Sequence, residues 1–266
     1  MTKKSSFICF ILILIMLVGT SCQKTPDAPS DVTTLPPDTL NISESEIYDG
    51  YFEEPSVDVT VECISGSAGC YTINGNTLTF SALTEDSVYS VKGSLGGNII
   101  IDIGEERKLD LELHGFSLVG KTEAPITVLS GDKVTITAKK GFTSYIYDMR
   151  EAVDGNDENA HTGAIFSDVD LEIAGKGTLN LVSENNNGIH SKDDLDVKNL
   201  TLNVICLDNA LKGNDSVSIT GGVTQLVAKQ GDGIKTTNSG VSDKGNQRGT
   251  ISISGGTHTI GAAGDA

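Results

Sequence analysis

Apolar and polar residues alternate over most of the chain beyond about residue 50, and toward the C-terminus the alternation repeats with a nearly fixed period. The repeat can be aligned on one apolar residue per unit, and these residues stand 24, 22 and 23 positions apart: Ile165, Ile189, Leu211 and Ile234. Each unit continues with a second alternating segment, a turn rich in Gly or Asn, and a third alternating segment. A period in the low twenties with β-type alternation is typical of a solenoid.

The second segments of the units contain the same apolar-polar-apolar triplet, at Leu171–Ile173, Leu195–Val197, Val217–Ile219 and Ile251–Ile253. Successive coils of a β-solenoid lie about 4.8 Å apart, so equivalent residues stack on one another and inward positions repeat as Ile, Leu and Val. A leucine-rich repeat has a similar period, but the helical segment and the Leu/Asn framework that it needs are missing. The sequence therefore predicts an all-β fold, a parallel β-helix.

The repeat predicts the domain boundaries. Alternating segments continue upstream at looser spacing, with Ile100 and Ile126 separated by 26 positions, so the predicted β-helix spans residues 95–266. Residues 51–94 are predicted to form N-terminal β-strands that lead into it. Two stretches break the period and are expected to loop out, Gly141–Thr162 and Ser239–Gly249. The last residues stop inside a repeat motif, so we expect the β-helix to be incomplete at its C-terminal end.

The N-terminus reads as an export signal rather than as part of the fold. Lys3 and Lys4 precede 12 apolar residues, Phe7–Val18, and small residues then lead to Cys22. This order resembles a bacterial lipoprotein signal over residues 1–22, with Cys22 as the lipidated residue, although Gly19 stands where Leu is usual; an ordinary secretory signal is the alternative. Residues 23–50 are rich in Pro, Ser, Thr and Asp and predict a disordered tether. We expect a lipid-anchored protein facing outward from the cell envelope, with no other membrane contact.

Composition and charge argue against some classes of binding partner and favour others. The 36 acidic residues exceed the 19 basic ones and give a formal net charge of -17, which argues against nucleic-acid partners and favours metal cations. The five cysteines lack the paired spacing of a zinc site. Cys63 and Cys70 could close a small disulfide loop or stay free. No feature predicts self-association, so a monomer is expected.

Turn oxygens recur in register with the repeat and suggest a metal. Two positions before the leading apolar residues stand Asn187, Asn209, Asp232 and Asp265, and a second row follows those residues at Asp193 and Asp215. Stacked carboxylates repel one another, and oxygen ligands at turns suit Ca²⁺, which tolerates irregular geometry. The predicted calcium ligands are Asp193, Asp215, Asp232, Asp265, Asn187, Asn209, Asp208 and Asn214. The alternative is that these residues only form turns and stacked amide ladders.

One row of basic residues recurs with the repeat, although the chain as a whole is acidic. His190, Lys212 and Lys235 directly follow the leading apolar residues, and alternation directs them outward. The row could bind the carboxylates of an acidic polysaccharide, or it could be a solvated face whose lysines limit aggregation. Trp is absent, so stacking platforms for neutral sugar rings are scarce.

Catalytic motifs are missing. The chain has three arginines, Arg107, Arg150 and Arg248, and none lies in a regular coil motif, where a lyase would need its base. The companions of polygalacturonase carboxylates are absent, and no GxSxG, HExxH or P-loop occurs. No enzymatic activity is therefore predicted.

Several in-register strings resemble a known family: GAIFSDVDLEIAGKGTL, NGIHSKDDLDV, NALKGNDSVSITGG, GDGIKTTN, GTISISGGTHTI and the final GDA. They resemble the carbohydrate-binding β-helix domain of clostridial cellulose- and acid-sugar-binding proteins, over roughly residues 90–266. The resemblance implies a right-handed parallel β-helix of pectate-lyase-like shape, calcium, and polysaccharide binding without cleavage. Ala210 and Leu211 replace the usual Gly-Ile pair, and Lys198-Asn199-Leu200 replaces a Gly-Gly corner, which predicts weaker metal sites in those coils.

These observations predict a cell-surface module that binds polysaccharide and is stabilised by calcium. The expected partner is an acidic plant cell-wall polysaccharide of the polygalacturonate type, or cellulose. Two other functions stay open, a structural adhesin stalk that presents a C-terminal partner, and a pectin lyase or hydrolase.

Overall fold

The structure of the protein is a computed structural model that describes residues 30–36, 42, 44–52, 56–157, 160–243 and 245–265. The predicted export signal, including Cys22, lies outside the described residues. Within them the chain is all-β, with 22 strands and one four-residue helix, α1 (Glu44–Ile47). No helix in this part of the chain has the length and apolar character needed to cross a bilayer.

The strands follow one another along the chain with short connections. In chain order they are β1 (Asp31–Leu35), β2 (Val57–Ser65), β3 (Tyr71–Asn74), β4 (Thr77–Ser81), β5 (Ser87–Leu95), β6 (Asn98–Asp102), β7 (Lys108–Gly120), β8 (Ile126–Ser130), β9 (Lys133–Ala138), β10 (Thr143–Asp148), β11 (Gly163–Ser167), β12 (Leu171–Gly175), β13 (Thr178–Ser183), β14 (Asn187–Ser191), β15 (Asp194–Lys198), β16 (Thr201–Cys206), β17 (Leu211–Gly213), β18 (Ser216–Thr220), β19 (Val223–Ala228), β20 (Ile234–Lys235), β21 (Thr250–Ser254) and β22 (Thr257–Ala262).

Most strands lie in three rows of parallel strands, and each complete coil of the chain adds one strand to each row. The first row is β4-β6-β8-β11-β14-β17-β20. The second is β9-β12-β15-β18-β21, which continues from the first half of β7, and the third is β10-β13-β16-β19-β22, which continues from its second half. Inward side chains of all three rows join one hydrophobic core. The predicted all-β fold with parallel strands is confirmed.

The leading apolar residues stack as the repeat predicts. Ile165 pairs with Ile189, Ile189 with Leu211, and Leu211 with Ile234. The first three are fully buried, and burying an aliphatic side chain of this size contributes about 1.5–3 kcal/mol. Upstream, the predicted alignment is wrong by one residue, because Ile99 and not Ile100 pairs with Ile126. Three consecutive isoleucines make the alternation ambiguous, and only the side chain that points inward sets the register.

Tight corners separate the second row from the third. Gly222 has φ +77° at the corner of one coil, and a Cβ there would collide with the backbone of Leu200 in the preceding coil. That preceding coil carries Asn199 at φ +63°. Asn is among the few residues with a side chain that tolerate this left-handed conformation, so the coil keeps its corner without the usual Gly-Gly pair.

The parallel stacking starts earlier than the predicted boundary at residue 95. Strand β4 already pairs in parallel with β6, and β5 pairs in parallel with β7. Strands β2 and β3 then pair antiparallel with β5 and β4 and cover the N-terminal edge of the stack. Cys63 and Cys70 lie in and beside these two strands and are free thiols in the structure.

The predicted tether, residues 23–50, is ordered where the structure describes it, so that prediction is wrong for these residues. Strand β1 pairs in parallel with β22 along the far end of the third row. Helix α1 buries Ile47 completely, in a small cluster on the outer face of the third row with Val119, Tyr147 and Val182. A single isoleucine and tyrosines among many polar residues give no periodic signal, although they suffice to hold a short segment against an existing apolar row.

The first predicted insertion is too long. Its beginning, Thr143–Asp148, forms β10 and belongs to the third row, because Tyr145 and Tyr147 pair with residues of both neighbouring strands. Among the described residues, the irregular segment is therefore 149–157 and 160–162. The second insertion lies between β20 and β21 as predicted, where Val241 and Gln247 form an antiparallel bridge.

Candidate functional site

Carboxylates gather at the corner between the first and second rows. The turns from β11 to β12 and from β14 to β15 supply Asp170, Asp193 and Asp194, and one oxygen of each lies within 4.8 Å of the others. Leu171 pairs with Leu195, so the coils stack in register and bring Asp170 beside Asp194. The turn from β17 to β18 adds Asp215. We call these four residues the carboxylate corner.

Hydrogen bonds fix only part of this corner. Ser216 Oγ donates to Asp194 Oδ1 at 2.6 Å, and the Asp194 amide donates to Asp170 Oδ1 at 3.4 Å. Arg248 Nε lies 2.7 Å from Asp215 Oδ2, and Asn238 Nδ2 donates to the other oxygen of Asp215. Asp215 is thus paired with a cation, whereas Asp170, Asp193 and Asp194 face one another.

Burial and nearby like charges raise the pKa of two carboxyl groups of the corner, Asp193 and Asp170. Desolvation by burial raises the pKa of Asp193, and the charges of Asp215 and Asp194 raise it further. Burial also raises the pKa of Asp170, and the Asp193 charge adds to the effect. These are the shifts expected where like charges lie close together, and a bound cation would reverse them.

The second insertion forms one wall of a cleft over the corner. The cleft has a volume of about 460 Å³, and the insertion lines it with Ser242, Asp243, Asn246, Gln247 and Arg248. Its surface is predominantly polar. It is an open cleft above a carboxylate cluster, so a polymer with polar groups can reach the carboxylates from solvent.

The other predicted row of metal ligands forms a hydrogen-bond ladder. Asn187 Oδ1 accepts from Asn209 Nδ2 at 2.7 Å and from the Asn209 amide at 3.1 Å. Asn209 Oδ1 accepts from the Asp232 amide at 2.9 Å, and Asp232 Oδ1 accepts from the Asp265 amide at 2.9 Å. We call these four residues the amide ladder. Its Oδ1 atoms accept backbone or amide hydrogens, as in the amide-ladder alternative.

The two remaining predicted ligands, Asn214 and Asp208, have other surroundings. Asn214 Oδ1 accepts from Thr237 Oγ1 at 2.8 Å and lies 3.1 Å from His190 Nε2. Asp208 is exposed, beside a small pocket that Lys212 also lines. Of the predicted ligands, the structure therefore brings only Asp193 and Asp215 into the carboxylate corner.

The predicted positive row is in register but is not uniformly charged. His190 pairs with Lys212, and Lys212 with Lys235. His190 follows the inward-pointing Ile189 on β14, but its side chain is buried, with Thr162 Oγ1 2.6 Å from Nδ1 and Asn214 Oδ1 3.1 Å from Nε2. Burial, with a smaller effect of the Lys212 charge, lowers the pKa of His190 to about 4, so it is neutral at pH 7.

The two lysines of this row differ from each other. Burial lowers the pKa of half-buried Lys212. Lys235 Nζ lies 2.8 Å from Asp232 Oδ2, and this hydrogen bond raises the pKa of Lys235 and lowers that of Asp232. Lys235 is therefore tied to the amide ladder, which reduces its attraction for an external carboxylate.

Sequence reasoning missed Asp170 and Arg248. The signal for Asp170 is present in the repeat, since Asp170 and Asp194 both directly precede the first apolar residue of the second strand of their coil, Leu171 or Leu195. Arg248 could not be found in this way, because an irregular insertion brings it to the corner. Arg150, by contrast, is buried in an ion pair with Asp148, with N–O distances of 2.7 and 2.8 Å, and is structural.

Comparisons with known proteins agree with this architecture. Residues 74–266 match the family model of carbohydrate-binding domain-containing proteins. A carbohydrate-binding domain-containing protein of Acetivibrio thermocellus is 35% identical over 118 residues, which make up 43% of this chain and 41% of the relative. The chain thus spans about two fifths of that relative's length. The solved polysaccharide lyase-like protein from C. thermocellum, a gadolinium derivative, superimposes with a TM-score of 0.58 at 27% identity, over 72% of this chain and 75% of that chain.

Proposed function

Because the chain belongs to the family of carbohydrate-binding domain-containing proteins, we propose that it is a non-catalytic module that binds acidic polysaccharide through calcium held at the carboxylate corner. The observation that carries the proposal is the cluster of Asp170, Asp193 and Asp194 beneath an open polar cleft. The three parallel rows would wind as a right-handed β-helix, which the likeness to the polysaccharide lyase-like structure supports.

The residues of the corner suit calcium. Ca²⁺ takes six to eight oxygen ligands in flexible geometry, and carboxylates from two adjacent coils offer such oxygens without a rigid cage. Asp170, Asp193 and Asp194 would hold the ion, and Asp215 would stay with Arg248. The ion would offset the like charges that raise the pKa values of Asp170 and Asp193, and it would leave coordination positions open toward the cleft.

The overall charge explains why a cation is needed for this partner. The chain carries a formal net charge of -17, so a polymer of uronic acids meets long-range repulsion. Lys212 and Lys235 offset little of it, since the first is half-buried and the second is paired with Asp232. A calcium ion shared between the corner and a uronate carboxylate would convert local repulsion into attraction.

A lyase activity is the alternative that one observation favours, since Arg248 lies at the carboxylate corner. A base must lose its proton, however, whereas arginine side chains stay charged in proteins, and Arg248 Nε lies 2.7 Å from the carboxylate of Asp215. Arg248 is therefore suited to orient a carboxylate and unsuited to abstract a proton. An adhesin stalk has no such site and would bind no glycan.

The location of the protein is also part of the proposal. We place it outside the cytoplasm as a monomer, anchored through a lipid on Cys22. Metabolic labelling with a radioactive fatty acid should label the full chain and should not label Cys22→Ser. Labelling of both proteins, or of neither, would contradict the anchor.

The binding proposal is tested by titrating polygalacturonate into the full chain and measuring the heat released. We expect binding with calcium and at least tenfold weaker binding after a chelator is added. Asp193→Asn should weaken calcium-dependent binding to the same degree, whereas Asp58→Asn, the same change at an exposed strand position, should leave it unchanged. Calcium-independent binding, or equal effects of the two variants, would overturn the calcium site. Unsaturated products at 235 nm would establish a lyase.

A further inference from the structure

The second insertion, which forms one wall of the cleft over the carboxylate corner, is a hairpin with internal order. Its two legs meet in the bridge between Val241 and Gln247. The Arg248 amide donates to the Gly240 carbonyl at 2.9 Å, and Gln247 Nε2 donates to the same carbonyl at 2.7 Å. The hairpin therefore keeps its own shape, and its place over the corner depends on how its base is attached.

The hydrophobic effect does little to hold the insertion in place. Val241 is its single residue with a large apolar side chain, and Val241 is 62% exposed. A surface segment that buries so little apolar area opens at a low cost in free energy unless polar contacts hold it. The polar contacts at the base of the hairpin therefore decide whether the cleft has a fixed wall.

One residue of the β-helix, Asp215, contacts both legs of the hairpin at this base. On the incoming leg, Asn238 Nδ2 donates to Asp215 Oδ1. On the outgoing leg, Arg248 Nε lies 2.7 Å from Asp215 Oδ2, and the Gly249 amide donates to the Asp215 carbonyl at 2.7 Å. Asp215 thus closes the base with both carboxylate oxygens and with its backbone.

The two legs are closely packed where Asp215 joins them. Gly249 has φ +73°, and a Cβ at this position would lie 2.6 Å from the Asn238 carbonyl oxygen. The backbone also holds the incoming leg, since the Asn238 amide donates to the Asn214 carbonyl at 2.8 Å. The side chain of Asp215 therefore matters most for the outgoing leg, which carries Gln247 and Arg248 into the cleft.

These contacts distinguish Asp215 from the other carboxylates of the corner. Both of its side-chain oxygens are engaged, one by Asn238 and one by Arg248, so an ion would have to compete with these groups. The oxygens of Asp170, Asp193 and Asp194 face one another instead. The corner thus contains three carboxylates that suit an ion and one that is committed to the insertion.

We propose that Asp215 is the positioning residue of the cleft. It fixes the second insertion as the wall against which an acidic polysaccharide binds, and it leaves ion ligation to Asp170, Asp193 and Asp194. The inference rests on the proposed function and deepens it, because it separates ion binding from polymer contact within one site. Asp215 acts on the polymer only through the insertion.

The test breaks the ion pair from both sides in the full chain. Asp215→Asn removes the negative partner and Arg248→Gln the positive one, so the two variants change the local charge in opposite directions, although both release the outgoing leg. Asp132→Asn is the matched control, because it removes an exposed ion pair of an earlier coil, in which Lys108 Nζ lies 3.2 Å from Asp132 Oδ2.

Three quantities are measured for each protein. Calorimetry gives the calcium affinity without polymer and the polygalacturonate affinity at saturating calcium. Hydrogen exchange followed by mass spectrometry gives the mobility of the insertion. Circular dichroism shows whether each variant is folded, and if one variant does not fold, the other decides.

We expect both variants to weaken polygalacturonate binding and to speed amide exchange in the insertion by about fivefold or more, with calcium affinity changed by less than that. The double variant should bind the polymer no more weakly than the weaker single variant, because the two changes remove one shared contact. The control should match the wild type in all three measurements.

Opposite effects of the two variants on polymer binding would overturn the proposal, since they would show that local charge or a direct contact by Arg248 acts in place of position. A larger loss of calcium affinity in Asp215→Asn would make Asp215 an ion ligand, and wild-type exchange in both variants would remove the anchor. If the wild-type protein does not bind polygalacturonate with calcium, the proposed function fails, and the exchange rates still decide whether Asp215 holds the insertion.

Discussion

The amide ladder and the carboxylate corner are built from the same repeat but have opposite electrostatics. Both consist of turn oxygens that stack from coil to coil. In the ladder, each Oδ1 accepts a hydrogen from the next coil, as Asn187 does from Asn209. In the corner, Asp170, Asp193 and Asp194 face one another with few donors between them. Stacking therefore stabilises amides directly, whereas stacked carboxylates repel one another unless they are protonated or paired with a cation.

The difference shows how one repeat can place stabilising hydrogen bonds in one stack of turn residues and a ligand site in another. An amide carries both a donor and an acceptor, so identical amides can hydrogen-bond along the stack. An ionised carboxylate only accepts, so identical carboxylates repel one another. The ladder is thus expected to hold coils together, and the corner is expected to be a site whose stability depends on a ligand.

Breaking the ladder should have the largest effect. Asn209→Ala removes the side-chain hydrogen bond to Asn187 and leaves the Asp232 amide without its acceptor, so we expect the free energy of unfolding to fall by about 2–4 kcal/mol. Urea denaturation followed by circular dichroism measures this loss. Asn156→Ala, at an exposed position in the first insertion, should change it by less than about 0.5 kcal/mol. Equal losses in the two variants would contradict the ladder's role.

Lowering the pH should change the free energy of unfolding in opposite directions through His190, on the ladder strand, and through the carboxylate corner. His190, three residues after the start of the ladder strand β14, has a folded-state pKa of about 4, below its ordinary value, so protonation favours the unfolded chain. The unfolding free energy should fall by on the order of 3 kcal/mol as pH drops from 7 to 4. His190→Gln should flatten this dependence, and an unchanged slope would contradict the assignment.

Over part of the same range the carboxylate corner should act in the opposite direction. The pKa values of Asp170 and Asp193 are raised in the folded state, so the folded protein binds their protons more tightly than the unfolded chain. Without calcium, their contribution to stability is lost as pH rises through the folded-state pKa values. The variant His190→Gln lacks the lowered pKa of His190, which is the largest opposing shift. In this variant without calcium, the free energy of unfolding should decrease as the pH rises from 4 to 6. Adding Asp193→Asn should make this decrease smaller.

Calcium should stabilise the protein through the corner and not through the ladder. At a calcium concentration 100 times the Kd, the free energy of unfolding should rise by about 2.7 kcal/mol. Thermal denaturation with calcium and with a chelator should show the same increment in Asn209→Ala and none in Asp193→Asn. Loss of the increment in the ladder variant would place the ion elsewhere.

Removing one charge from the corner should have the smallest effect. Two unit charges about 4 Å apart repel by ~1 kcal/mol in water-like dielectric, so Asp193→Asn should stabilise the calcium-free protein by about that amount. Urea denaturation in chelator measures it, with Asp58→Asn as the matched exposed control. Destabilisation by Asp193→Asn would show that the carboxylate has hydrogen-bonding partners that matter more than its repulsion.

Much of the fold could be predicted because the repeat encodes it locally. The spacing of Ile165, Ile189 and Leu211 sets the stacking of coils, and the observed pairing follows it. The prediction fails where local pattern carries no information. Three consecutive isoleucines hide which one points inward, and the short segment around Ile47 has no periodicity although it packs on the third row.

The site was less predictable than the fold. The repeat identified Asp193 and Asp215 as neighbours in space, but the same reasoning grouped the amide ladder with the metal ligands. Spacing shows which residues stack, whereas hydrogen-bond donors from the backbone decide whether stacked oxygens remain available. Arg248 reaches Asp215 from an insertion outside the repeat, so no periodic argument could place it there.

The sequence by itself determined the strand alternation, the period and the stacking of equivalent residues, because these depend on contacts between residues at regular spacing. Only the tertiary structure decided that His190 is buried and neutral, that the ladder oxygens accept hydrogens, and that helix α1 packs on the outer face of the third row. The physical reason is that burial and charge at a position depend on what covers it, and the covering segments come from parts of the chain that lie outside the repeat.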